Sequence, residues 1–112
     1  MSANRHRGEI SASFDGKPYR LCLTLGALAE LEDAFAAEDL GALVARFAGG
    51  KLSARDMVRI LGAGLRGGGN EVSDDEVRQM RYDDGAAGFA LVVADLLTAT
   101  FGAAKEGPRQ GP

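Results

Sequence analysis

EISASFDGKPYRLCL, residues 9–23, is the stretch whose reading decides the fold. Asp15-Gly16 at its centre is a two-residue hairpin turn, because a type I′ turn needs φ > 0 at both central positions and this pair tolerates it. A turn there sets the register: Phe14 faces Lys17, Ala12 faces Tyr19, and Ile10 faces Leu21. Side chains alternate along a strand, so Ile10, Ala12, Phe14, Tyr19, Leu21 and Leu23 share one apolar face. Glu9, Ser11, Ser13, Pro18, Arg20 and Cys22 fall on the other. Two strands alone are marginal in water, so the apolar face must rest on other elements. Pro18 has no N–H to give a ladder, which predicts an exposed hairpin edge nearby.

Beyond Leu23 the apolar period becomes helical. Thr24 is an N-cap for a helix over 25–36, with Leu28, Leu31 and Phe35 on its inner side. A second helix follows Glu38 and Asp39, with Leu40, Leu43, Val44 and Phe47 on one stripe, and Gly49-Gly50 ends it. Ser53 with Asp56 resembles a capping box for a third helix. Its buried face is Met57, Ile60, Leu61, Gly64 and Leu65, while Arg55, Arg59 and Arg66 stay wet. Gly62 and Gly64 each cost about 1 kcal/mol relative to alanine in a helix, which suits positions where another backbone approaches closely. Gly67-Gly68-Gly69 is read as its terminator. Ser73 and Glu76 form a capping box for a short fourth helix, which presents Val77 and Met80 to the core. The last helix, 85–101, has the widest apolar stripe (Phe89, Val92, Val93, Leu96, Leu97, Thr100) and is expected to be the central core helix. The fold class is therefore α+β: an N-terminal β-hairpin followed by four to five short α-helices packed on it. Residues 1–7 are expected to form a flexible arm, 8–102 a single domain, and 103–112 a disordered tail.

Composition excludes more than it assigns. The 112-residue chain carries a net charge of −3, so it lacks the basic face of a nucleic-acid binder. Arg5, His6 and Arg7 are basic but sit in the expected arm. With a single cysteine, Cys22, there is no internal disulfide, and no secretory signal is visible. The apolar run around 89–97 contains Asp95 and is short for a bilayer span, so no membrane partner is expected and the location read from sequence is cytoplasmic. The only histidine is His6, so neither a zinc site nor an activated Cys22 nucleophile can be assembled, and no metal, cofactor or catalytic residue is assigned. The triple glycine lacks the lysine and the preceding strand of a phosphate loop. Asp74, Asp75 and Glu76 lie in a helix first turn, where acids complement the dipole. Glu30, Glu32, Asp33, Glu38 and Asp39 make a negative surface around the first interhelical loop. It reads either as a solvated face or as a docking patch for a basic partner segment.

The segments RGEISASFDGKPYRLCLTLGALAELEDAF (7–35), GGKLSARDMVRILGAGLRGGG (49–69) and VSDDEVRQM (72–80) occur in an order and spacing that resemble one family. It is the family of small tail proteins of gene transfer agents and related prophages, described as tail assembly chaperones and also labelled tail tube proteins. The likeness spans 7–102. It implies a non-enzymatic role in tail assembly, with the tail tape-measure protein and the major tail (tube) protein as partners. An alternative is a structural tail component retained in the particle. The resemblance assigns no binding residues. From the chain's own chemistry the expected partner-binding residues are Arg20 and Cys22 on the hairpin edge and Glu30, Glu32 and Asp33 on the first helix. The apolar hairpin face could also be covered by a second copy, as a homo-oligomer.

Overall fold

A computed structural model of the chain describes residue 4 and residues 7–48, 52–82 and 85–102. Strands β1 (Glu9–Phe14) and β2 (Lys17–Cys22) form a two-stranded antiparallel sheet in the expected register, with Phe14 opposite Lys17 and Ile10 opposite Leu21. Asp15 and Gly16 have φ of 55° and 76°, both in the left-handed region that a type I′ turn demands. Ile10, Phe14, Leu21 and Leu23 are buried, Ala12 and Tyr19 are half-buried, and Ser11, Ser13, Pro18 and Arg20 are exposed. The hairpin thus has one core face and one wet face.

Five helices follow: α1 (Leu25–Ala34), α2 (Leu40–Ala48), α3 (Ala54–Gly67), α4 (Asp74–Gln79) and α5 (Gly85–Leu97), which continues into a π turn at Thr98–Gly102. Their starts follow side-chain chemistry. The Thr24 hydroxyl accepts the Ala27 N–H at 3.1 Å, and Asp39 Oδ1 accepts the Ala42 N–H at 2.8 Å. Ser53 with Asp56 and Ser73 with Glu76 form reciprocal capping boxes. α1 stops short of the expected end because Ala36 takes φ of 54°. The expected glycine stop of α2 lies outside the described residues, as do Asp83, Asp84 and 103–112.

The centre of the fold is α3, not α5. α3 packs on β2, α1, α4 and α5, and it buries an unbroken run from Ile60 to Leu65. A helix enclosed on several sides needs small residues, and Gly62, Ala63 and Gly64 supply them. α5 is more apolar, and Gly85–Gly102 is long and apolar enough by composition to cross a membrane, yet only 28% of it is buried. That corrects both the expectation of a central α5 and that of too short an apolar run. Gly88, Val92, Val93 and Leu96 face the core and Phe89 and Leu97 are half-buried, whereas Ala86, Ala87, Ala90, Leu91 and Ala94 point outward. Phe14 anchors this end, with ring centroids 5.6 Å from Phe89, 5.8 Å from Tyr19 and 5.8 Å from Tyr82.

The close backbone approach occurs three residues beyond where the glycine spacing suggests it. A Cβ on Gly62 or Gly64 would meet the side chains of Asp74 or Leu96, which can move. A Cβ on Gly67 would fall on the carbonyl oxygen of Cys22, and one on Gly68 on that of Arg20. Here helix backbone lies against strand backbone and cannot give way. Gly68→Ala should therefore destabilise the fold by about 2 kcal/mol or more, the cost of overpacking a rigid contact. Ala in place of Gly16, where nothing lies within 4 Å, should cost only its left-handed φ. Chemical denaturation of the two variants checks the order.

Candidate functional site

The two edges of the hairpin differ. In a hairpin with a two-residue turn, alternate residues direct N–H and C=O outward, and on β2 these are Pro18, Arg20 and Cys22. Pro18 has no donor to offer. The Arg20 carbonyl accepts from Asn70 Nδ2 at 2.8 Å, and the same amide group donates to the Leu65 carbonyl at 3.0 Å. Arg20 Nε reaches the Gly68 carbonyl at 3.4 Å, and the Cys22 carbonyl lies under Gly67. The β2 edge at Arg20 and Cys22 is thus occupied by the chain's own α3 end.

On β1 the outward residues are Glu9, Ser11, Ser13 and, past the strand end, Asp15. Glu9 N–H donates to the Asn4 carbonyl at 3.0 Å, and Asp15 N–H donates to the Arg81 carbonyl at 2.9 Å. Arg81 N–H returns a bond to Asp15 Oδ1 at 3.1 Å. Between these two attachments, no group among the described residues takes the outward N–H or C=O of Ser11 or Ser13.

A second surface is apolar. Val44, Phe47 and Ala48 of α2 face Leu97 and Phe101 across an open groove of about 680 Å³. Thr98 also lines it, and Thr98 ends a row of exposed small residues on α5: Ala86, Ala90 and Ala94. Leu91, beside that row, is 67% exposed, an unusual state for a large aliphatic side chain on the most apolar helix.

The residues expected to bind partners do not form one cluster. Arg20 and Cys22 sit on β2, whereas Glu30, Glu32 and Asp33 sit on α1. Cys22 is half-buried with its Sγ 3.6 Å from the Arg7 carbonyl, and burial, assisted by Glu9, pushes its thiol pKa up. Glu30 is ion-paired to Arg66 at 3.0 Å, and Arg66 also bonds Asp74 at 3.1 Å and the Val72 carbonyl at 3.0 Å. Burial opposes the Arg66 charge, but its two carboxylate partners outweigh that and raise its pKa. Arg66, read as a wet residue, is therefore a half-buried tie between α1, α3 and α4. Asp39 caps α2, which leaves Glu32, Asp33 and Glu38 without an ion pair among the described residues. The described residues contain no group of three or more His, Cys, Asp or Glu side chains placed to hold a metal ion.

The described residues present an open strand edge, an apolar groove and an acidic corner. Residues 7–103 match the model of the family described as "Phage tail tube protein, GTA-gp10". The chain belongs to that family. No curated protein and no solved structure matches it. The match takes in every described element, so the open edge, the groove and the glycine seat all lie within this gene transfer agent tail protein.

Sequence reasoning passed over Asn70, the small-residue row on α5 and the Ser11–Ser13 edge. Asn70 follows a glycine run, where a side-chain amide can serve a turn, and A-x-x-x-A-x-x-x-A-x-x-x-T over 86–98 is visible once helical spacing is applied to alanine as well as to leucine. The raised Cys22 pKa leaves less thiolate at pH 8 than in an unperturbed cysteine. Iodoacetamide should therefore label Cys22 several-fold more slowly in the folded protein than in urea, and equal rates would contradict the burial described here.

Proposed function

We infer that the protein is a non-enzymatic tail assembly chaperone that binds the tape-measure protein and the tail-tube protein in the cytoplasm of the producing cell. The observation that carries this reading is the apolar groove between α2 and the end of α5, lined by Val44, Phe47, Leu97 and Phe101, together with the exposed Leu91 on the outer face of α5. A long apolar helix needs such a surface to be kept from aggregating. A helix laid in a groove is held by apolar side chains at one face, and the small row at Ala86, Ala90 and Ala94 permits close approach of a partner backbone. In this reading the acids Glu32 and Asp33 steer a basic segment of the partner toward the α1–α2 end. Arg20 and Cys22 then act through side chains, since their backbone edge is taken.

The edge asymmetry supports a factor that acts on a tube over a subunit that builds one. A subunit that propagates by strand pairing needs two open edges, and here Gly67, Gly68 and Asn70 close one of them. A second reading is favoured by the family description itself: a tube component that stays in the particle. Mass spectrometry of purified particles separates the two, with stoichiometric presence favouring the component.

Val44→Asp places charge in the groove and Leu91→Asp places it on the outer face of α5 beside it, both at exposed sites, where stability should change by no more than about 0.5 kcal/mol. Each should weaken binding of a helical tape-measure fragment at least ~10-fold in a titration, since a buried unpaired charge costs several kcal/mol. Unchanged affinity in both variants would remove the groove from the function.

A further inference from the structure

The β1 edge between Ser11 and Ser13 is built differently from every other backbone edge in the hairpin. β2 is closed by three devices: a proline at an outward position, the glycine end of α3, and the Asn70 amide on the Arg20 carbonyl. β1 has none of these in its middle. Ser11 and Ser13 are small and neutral, and the strand carries no proline, no inward charge and no bulge. Proteins usually blunt such edges, because a row of free N–H and C=O groups is a template for another strand. Here one edge is blunted and the other is left open.

We propose that Ser11–Ala12–Ser13 of β1 receives a short extended segment of a different polypeptide by strand addition, and that this segment belongs to the tail-tube subunit. The assignment of that partner rests on the function proposed above. The chemistry of the site specifies an extended chain, since two outward N–H and two outward C=O groups at strand spacing match only another strand. The opening is short. Asn4 occupies the edge at Glu9 and Arg81 occupies it at Asp15, so about 20 Å separates the two attachments at strand rise, room for four or five residues. That length argues against a second copy. Antiparallel pairing of β1 with β1 about Ala12 would set Glu9 opposite the copy's Asp15. The chains at Asn4 and Arg81 already stand there. An incoming segment would alternate its side chains, with one set level with Ile10, Ala12 and Phe14 and directed toward α5 and the π turn, which both pack on β1. The segment should therefore be apolar at alternate positions.

Proline in place of Ser11 or Ser13 removes an outward donor without touching the β1–β2 ladder, as Pro18 does naturally on the other strand. The experiment is a titration of the full chain, wild type and the Ser11→Pro/Ser13→Pro variant, with purified tube subunit. Expected is a loss of affinity of at least 30-fold in the variant, with its melting temperature kept. Should that variant fail to fold, amide exchange of Ser11 and Ser13 in the wild type decides, with at least tenfold protection expected on adding tube subunit. Equal affinity of a folded variant, or unprotected amides, overturns the edge assignment while leaving the chaperone reading in place. No binding of tube subunit by wild type overturns the partner and that reading together. A wild-type dimer dispersed by the same prolines would place a second copy on the edge and overturn the assignment to another polypeptide.

Discussion

The seating of Gly67 and Gly68 on the carbonyls of Cys22 and Arg20 is the contact on which the other elements depend. Helix backbone meets strand backbone there with no side chain between them, an approach that only glycine permits. Asn70 then joins the two, donating to the Arg20 carbonyl of the strand and to the Leu65 carbonyl of the helix end. Buried or half-buried carbonyls at a helix terminus need such partners, and one side chain serves two of them. Once α3 is fixed across the hairpin, its flanks position the rest. Gly64 admits Leu96 of α5, and Arg66 holds Glu30 of α1 and Asp74 of α4.

The same contact divides the molecule's surface. Closing β2 leaves β1 as the hairpin's available edge, and placing α3 at the centre leaves α5 on the outside. α5 is tied down at its inner face by Val92, Val93 and Leu96, with Phe89 stacked on Phe14. Among the described residues its outer row, Ala86, Ala90 and Ala94, stays exposed. A helix with apolar residues on every side is normally enclosed. This one is enclosed on one side only, which is why a wide apolar stripe and a low buried fraction coexist.

Local rules were legible in the sequence and non-local ones were not. The turn at Asp15-Gly16, the register that follows from it and the caps at Thr24, Ser53 and Ser73 each depend on residues within a few positions of one another, and all stand in the structure. Apolar content alone puts α5 at the centre, because it does not say which side chains are enclosed. Phe89 and Leu97 of the α5 stripe are only half-buried, whereas the glycines of α3 lower its hydropathy and at the same time let neighbours close in. The glycine run at 67–69 is legible as a helix end but not as a contact, because its partner strand lies more than forty residues away. The same distance hid the closure of the β2 edge, and so moved the open edge from Arg20 and Cys22 to Ser11 and Ser13.

The two walls of the apolar groove are held unequally, and that bears on what it can accept. The α5 wall is part of the core. α2 packs mainly on α1 and its C-cap Phe35, through an edge-on contact of Phe47 with Phe35 at 5.4 Å and the Arg46 guanidinium 4.8 Å above the Phe35 ring; a long ion pair at 3.7 Å also joins Arg46 to Asp56 of α3. Only Leu43 and Phe47 of α2 are buried. An element with few buried contacts opens at lower cost than the body it rests on. A groove with one fixed wall and one lightly held wall can close on helices of different bulk. On the chaperone function proposed above, that adjustability would matter more than tight fit to a single partner sequence.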